Sequence, residues 1–371
     1  MAELIVSFWI FLGVFSFAID QYKVFRMPRG FETQGVYSIY IGYKTNLLGI
    51  DSLSQKSIGD LLFENLGSMP EIAEVSCSST ALPYSGARGS RGYGAGDGSG
   101  QMEMIEQVSV DENFQKVWSV EMASGRFFEK NDPVELVKTP LVINEKLEAL
   151  MKRWDFVQKR ISEEYQVVGV VKHFKYDGDF KEEKPVMFNM TKGNPDRVYS
   201  VKVKAGEETA VLPRIYKMVE KITKGGDFEI KILKNEQRKA NRASVIPLFT
   251  LLFIGIFLVI SIVMGLLGVL KYNMNSRVAE LGLRKVMGAT TADIRKMFVG
   301  EMITLTLIAF MVAMLFALQV PFVSNFPIER SSYFAGMALG TLLIFGLVLF
   351  CSALPGRQLA RILPAEALRE E

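Results

Sequence analysis

The sequence predicts a four-helix transmembrane domain carrying one large extracytoplasmic α/β domain. Three observations carry that prediction. Apolar residues are concentrated in four uncharged blocks, Leu4 to Ile19, Val245 to Leu270, Met302 to Ile328 and Ser331 to Gly356. The long stretch between the first two blocks alternates between strand-like and helix-like periodicity. The short loops beside the last three blocks differ sharply in basic charge.

In chain order, the first block has 16 residues, which as a helix reach about 24 Å. Met1 to Glu3, or a thinned bilayer, complete the crossing of a hydrocarbon core about 30 Å thick. A cleaved signal peptide would need a basic start and a small-x-small cleavage site. No Lys or Arg precedes Lys23, and the residues after Phe17 are Ala18-Ile19-Asp20-Gln21, so a retained anchor is expected. The start looks abrupt, as though a cytoplasmic segment preceded it. The other three blocks, of 26, 27 and 26 residues, exceed the roughly 20 that a span requires.

The outer segment opens with a strand at Val36 to Gly42. Ser54 to Leu66 follows with helical spacing of Ile58, Leu61, Leu62 and Leu66, Pro70 ends it, and Ala73 to Ser79 reads as a strand. At the far end, Val198 to Ala205 alternates, Glu207 to Thr223 is helical, Gly225-Gly226 stops it, and Phe228 to Leu233 is a strand. Each end therefore reads as a β-α-β half. Between them an inserted mixed α/β subdomain is expected, with strands at 103–110, 140–144, 165–174 and 185–190 and short helices at 111–117 and 145–151. Ser85 to Gln101 carries glycine at positions 86, 89, 92, 94, 96, 98 and 100. Ordering so many glycines costs backbone entropy, so this segment is expected to lack regular structure. It has no Gly-Lys-Ser/Thr of a phosphate-cradling loop.

The resulting division is residues 1–19 for the first span and 20–243 for the outer domain, with its insert over about 103–190. Residues 244–272 are the second span, 273–300 a cytoplasmic coupling loop, 301–323 and 331–355 the third and fourth spans, and 356–371 a cytoplasmic tail. Orientation follows from basic charge, because short basic loops stay in the cytoplasm. Lys271, Arg277, Arg284, Lys285, Arg295 and Lys296 lie between the second and third spans, and Arg357, Arg361 and Arg369 follow the fourth. The turn between spans three and four holds only Glu329 and Arg330. Both ends of the chain are thus inside and residues 20–243 outside. The two cysteines, Cys77 and Cys351, fall on different elements of this topology and do not pair, so the outer domain buries its core without an internal disulfide.

The chemistry of catalysis has no foothold in the sequence. His173 is the only histidine, no set of Cys and His shows zinc-ligand spacing, and no Walker A motif is present. No catalytic residue, cofactor or metal is expected, nor any nucleic-acid partner. Information concentrates instead in the loop SRVAELGLRKVMGATTADIRKMFVGE, residues 276–301. Ser276 to Met287 predicts an amphipathic helix, Gly288 is placed to stop it as a C′ glycine, and Thr290 or Thr291 caps the next helix with Asp293 in its first turn. A membrane-surface helix facing anionic headgroups would explain the charges. It would not explain a tight turn coupled directly to a spanning helix.

The string Glu280-Leu-Gly-Leu-Arg-Lys-Val-Met-Gly-Ala-Thr290, followed by Ile294, Phe298 and Glu301, resembles the signature loop of MacB/FtsX-like ABC transporter permeases. The tail, with Pro355, Ala360, Ile362, Pro364, Ala365, Glu366, Ala367, Leu368 and Arg369, matches that family's ending. Gly125-Arg-Phe-Phe128, Val142-Ile-Asn-Glu145 and Val168 to Val171 are similar to its periplasmic core domain. The usual basic helix before the first span is missing from this sequence. The resemblance implies a multi-pass protein of the bacterial inner membrane, its large domain in the periplasm, without enzymatic activity of its own. It implies dimers, with this chain or a related permease, that recruit two copies of a separate ABC ATPase and transmit its strokes to the outer domain. By position, Arg277, Glu280, Leu281, Gly282, Arg284, Lys285, Gly288, Ala289 and Thr290 would touch the ATPase, with Glu366, Ala367, Leu368 and Arg369 adding from the tail. Export or extraction of a substrate from the periplasmic side, with a periplasmic or outer-membrane partner, is the implied role. Two other readings stand beside it: a regulator of a cell-wall hydrolase working by the same strokes, and a membrane-anchored receptor. In the spans, Gly336 with Gly340 and Ser261 with Gly265 allow close helix approach, within the chain or between chains.

Overall fold

The polypeptide is described by a computed structural model over residues 2–42, 52–95, 100–133, 138–190, 198–223, 226–322 and 328–353. In chain order its elements are α1 (Ala2–Arg26), β1 (Val36–Ile41), α2 (Ser52–Gly67), β2 (Ile72–Ser78), β3 (Ser90–Gly94), β4 (Met102–Val110), α3 (Phe114–Trp118) and β5 (Met122–Gly125). Then come β6 (Thr139–Asn144), α4 (Glu145–Arg153), α5 (Asp155–Glu164), β7 (Tyr165–Val171), β8 (Val186–Met190), β9 (Val198–Val203), α6 (Glu208–Ile222) and β10 (Phe228–Ile232). The chain closes with α7 (Leu233–Asn275), α8 (Val278–Val286), α9 (Thr291–Ala317), a 3-10 turn at Val320–Phe322 and α10 (Arg330–Ala353). Two compact units result, residues 24–244 and residues 1–23 with 245–371.

Among the described residues four helices, α1, α7, α9 with its 3-10 extension, and α10, are long and apolar enough to cross a membrane. In the membrane unit α1 packs closely on α10. Ser16 Oγ donates to the Tyr333 carbonyl, and a Cβ built on Gly336 would stand 2.7 Å from Ser16 Cα. A Cβ on Gly340 would lie 3.6 Å from Phe11 Cβ. The Gly-x-x-x-Gly pair of the fourth span is therefore used inside the chain. Gly265 faces Glu3, whose carboxylate carbon would lie 3.3 Å from its added Cβ, while Ser261 is exposed. At the other end of α1, buried Asp20 accepts from the Glu329 N–H at 3.2 Å, one of the unpaired donors before α10. Lys23 pairs with Glu329 at 3.0 Å and donates to Ser331 at 2.5 Å.

The other unit is built on one ten-stranded sheet, ordered β10-β1-β9-β2-β4-β8-β6-β7-β5, with β3 paired to β4. At its first end the strands of the two β-α-β halves interleave. β1 is antiparallel to both β10 and β9, and β9 is antiparallel to β2. Each half thus holds a strand of the other between its own two, a split β-α-β arrangement. Leu62 and Leu66 of α2 and Val211, Ile215 and Val219 of α6 bury against this part with Ile39 and Val201. Strands β4, β8, β6, β7 and β5 continue the sheet, with parallel pairs at β4–β8 and β6–β7. An aromatic cluster of Phe31, Phe114, Trp118, Phe127, Phe174 and Phe188 fills the core beneath them. Phe114 stacks on Trp118 at 5.3 Å, and Phe174 meets Phe188 edge-on at 4.9 Å.

One expectation fails. Ser90 to Gly94, inside the glycine-rich segment, is a strand that pairs antiparallel with β4. Strand pairing needs only backbone N–H and C=O groups, and Gly92 and Gly94 lie opposite Met104 and Met102. The methionines fill the space Gly92 leaves, for a Cβ there would stand 2.9 Å from Met102 Cε and 3.5 Å from Met104 Sδ. Two further elements, α5 and β5, have no counterpart among the expected ones, and α7 begins at Leu233 rather than near 244.

The two parts of the sheet join at a single registered pair, Ser78 opposite Val110, and Asp111 staples that joint. Its carboxylate accepts from Ser76 Oγ at 2.6 Å and from the Cys77 N–H at 2.7 Å. Burial dominates these bonds and pushes its pKa up to about 6. The folded chain therefore holds this proton more tightly than the unfolded chain, whose carboxyl titrates near 3.9. Stability from Asp111 is complete below about pH 4 and is lost as pH rises through about 6, a swing of about 2–3 kcal/mol. Urea unfolding of the sheet unit, followed from pH 4 to 7, is expected to show that decline in wild type. Asp111→Asn is expected to lack it, and equal slopes in the two proteins would refute the assignment.

Candidate functional site

The loop between the second and third spans folds as a small helical hairpin with its own core. Leu281 of α8 and Ile294 and Phe298 of α9 bury together with Met274, the last turn of α7. The spacing of apolar residues in α8 creates two faces. Leu281 and Gly282 are buried, whereas Leu283, Val286 and Met287 stand exposed, Met287 by 73%.

Gly288 ends α8 with φ +97°, a backbone state that only glycine adopts without strain. The Ala289 N–H bonds to the Arg284 carbonyl at 3.0 Å and the Gly288 N–H to the Lys285 carbonyl at 3.1 Å. These are the two bonds of a Schellman motif, which satisfy carbonyls that the helix end leaves open. Thr290 then caps α9, its hydroxyl accepting from the Asp293 N–H while the Asp293 carboxylate accepts from the Thr290 N–H at 3.0 Å. This reciprocal capping box fixes the entry angle of a helix that runs on as the third span.

Ion pairs tie the polar side together. Arg277 Nη1 reaches Glu301 at 2.9 Å, and Arg284 reaches Glu280 at 2.8 Å along α8. Arg284 also donates to Met297 Sδ at 3.0 Å. All these pairs are partly exposed and worth little individually. Together with the capping box they hold a short hairpin in one shape. Of the residues singled out in the sequence, Arg277, Glu280, Arg284, Gly288 and Thr290 are exposed, and Lys285 and Ala289 are half-buried. Leu281 and Gly282 face inward and build the hairpin instead of its outer surface. The exposed apolar trio Leu283, Val286 and Met287 was legible as part of the amphipathic pattern but not as the exposed part. Glu366, Ala367, Leu368 and Arg369 lie outside the described residues. The lone His173 pairs with Glu183 at 3.1 Å in the sheet unit, and among the described residues no group of His, Cys, Asp and Glu could hold a metal ion.

Residues 252–364, which include this hairpin, match the family model described as FtsX-like permease C-terminal. An uncharacterized ABC transporter permease of Methanocaldococcus jannaschii is 25% identical over 274 residues, covering 68% of this chain and 66% of that protein. The macrolide export ATP-binding/permease protein MacB 2 of Aeromonas hydrophila is 25% identical over 286 residues, 71% of this chain and 43% of that protein. MacB of Photorhabdus laumondii is 31% identical over 134 residues, 32% of this chain and 20% of that protein. The chain thus spans just under two thirds of the first relative and less than half of the other two. Among solved structures, the periplasmic region of MacB from Actinobacillus actinomycetemcomitans is similar at 13% identity, covering 59% of this chain and 98% of that chain with a TM-score of 0.37. The extracellular domain of YknZ from Gram-positive bacteria covers 53% of this chain and 99% of that chain, at 14% identity and a TM-score of 0.34.

Proposed function

We propose that this chain, whose residues 252–364 match the FtsX-like permease C-terminal model, is a multi-pass inner-membrane permease of the ABC transporter kind that couples the strokes of a separate ATPase subunit to its extracytoplasmic sheet unit. In this reading two copies of the permease, or this chain and a related one, hold two ATPases on the cytoplasmic side. The sheet unit lies in the periplasm, where its movement exports or extracts a substrate.

The observation that carries the reading is the hairpin of α8 and α9. An ATPase needs a surface that is rigid on its own and continuous with a spanning helix. The Schellman turn, the capping box and the buried Leu281, Ile294 and Phe298 supply the rigidity. The exposed Leu283, Val286 and Met287, flanked by Arg284 and Lys285, supply an apolar centre with a basic rim. Arg277, Glu280, Gly288, Ala289 and Thr290 border the same surface. Leu281 and Gly282 then act by shaping it, and Glu366, Ala367, Leu368 and Arg369 add from the tail.

The test is charge reversal at the rim with membrane insertion as control. Arg284→Glu with Lys285→Glu is expected to abolish co-purification of an ATPase while the protein still inserts. Met287→Glu is expected to weaken it at least tenfold, because a carboxylate in the centre of an apolar contact is left without a partner. Normal co-purification with both variants would refute the interface.

A further inference from the structure

The stretch from Phe174 to Asp179, which follows β7, carries two buried charged side chains, Lys175 and Asp179. Lys175 is 1% exposed. Its Nζ donates to the Val24 carbonyl, in the last turn of α1, and to the Asp179 carbonyl at 3.1 Å. The Val24 carbonyl also accepts from the Met27 N–H at 3.2 Å, so the ammonium is its second donor and complements the negative end of the helix. Asp179, 6% exposed, accepts from Arg29 Nε at 2.8 Å and from the Tyr84 hydroxyl at 3.0 Å. Its other oxygen accepts from Gln237 Nε2 at 2.6 Å and Asn241 Nδ2 at 2.8 Å, both in the first turns of α7. Thr33 closes the ring by donating to Gln237 Oε1 at 2.8 Å. Burial alone would raise the Asp179 carboxyl, but Asn241, Gln237 and Arg29 outweigh it and hold the group below its ordinary range. The carboxylate stays ionised and its bonds stay made at neutral pH.

Gly30, at φ +85°, lets the chain cross His173, whose carbonyl a Cβ would overlap. The segment leaving α1 is therefore pressed against the strand-end loop as well as bonded to it.

We propose that Phe174 to Asp179 is a clamp which binds the end of α1 and the start of α7 to the sheet, and that movement of those helices reaches the sheet through it. The second half rests on the permease reading above. Asp179 is a positioning residue in this scheme, and it touches no substrate.

Hydrogen exchange on the full chain tests the clamp. Asp179→Asn keeps the side chain's size but removes the charge and one acceptor. It is expected to speed exchange about tenfold at residues 237–244 and at 24–33. Gln237→Ala with Asn241→Ala spares the Arg29–Asp179–Tyr84 contacts and is expected to speed exchange at 237–244 alone. Unchanged exchange at 237–244 in both variants would overturn the clamp.

The complex purified from membranes, given Mg-ATP, tests transmission. In wild type, ATP is expected to alter exchange in the strands. In Asp179→Asn the ATPase is expected to stay bound and hydrolyse ATP while the strands no longer respond. A wild-type strand response in that variant would overturn transmission. Absence of any ATPase from the wild-type complex would sink the permease reading instead, and the first experiment would still decide the clamp.

Discussion

Gly336→Leu is expected to destroy the packing of the membrane unit. A Cβ at this position already stands 2.7 Å from Ser16 Cα and closer still to its backbone nitrogen. Backbone atoms cannot rotate away as a side chain can, so α1 and α10 must separate by more than an ångström. Separation breaks the Ser16 bond to the Tyr333 carbonyl and opens the contacts of Phe8, Phe11 and Leu12. Overpacking in a close-packed interior costs about 1–3 kcal/mol, and more where backbone blocks relaxation. Small residues matter more here than in water, because lipid gives two apolar helices no hydrophobic drive to associate. The measurement is the fraction of monodisperse protein after detergent extraction, expected to fall severalfold for Gly336→Leu. Gly346→Leu is the control: a Cβ there meets nothing within 4 Å, and its extraction is expected to match wild type. Equal behaviour of the two variants would contradict the packing.

The second large effect is expected at Trp118. It is fully buried in the aromatic core, stacked on Phe114 and edge-on to Phe31 at 5.5 Å. Truncation to alanine is expected to cost about 3–5 kcal/mol, the transfer term plus the cavity left behind. The indole Nε1–H is buried without an acceptor among the described residues, so phenylalanine loses no hydrogen bond and leaves a smaller void. Trp118→Phe is expected to cost only about 1–2 kcal/mol. Urea unfolding of the sheet unit distinguishes the two. A phenylalanine variant as unstable as the alanine one would mean that the indole makes a polar contact after all.

Long uncharged blocks announced the spans, because crossing lipid leaves so few alternatives. The hairpin of α8 and α9 was equally readable, since Gly288, Thr290 and Asp293 are local signals whose partners lie within a few residues. Gly336 was readable as a place of close approach, but its partner Ser16 lies 320 positions away, and nothing in the spacing chose between α10's own chain and another copy. The strand at Ser90 to Gly94 was hidden because its glycines gave no alternating pattern. Its side-chain volume comes from Met102 and Met104 across the pair. Asp179 was hidden for a different reason. Its donors Arg29, Tyr84, and Gln237 with Asn241 come from three separate stretches, so only the folded chain brings them to one carboxylate.

The position of β9 has a consequence for how the protein is made. It lies between β1 and β2, and among the described strands β1 pairs with β9 and β10 alone. The first strand to be synthesised is therefore among the last to find a partner. It waits for more than 150 residues with both edges open while the chain emerges. Pairing over such separations is slow, and open edges invite association with other chains. A nascent chain halted before Val198 would leave β1 unmatched among the described strands. A ribosome stall or truncation in that interval should thus yield a product that aggregates outside the membrane, whereas one arrested after Ile232 carries all the described strands of the sheet.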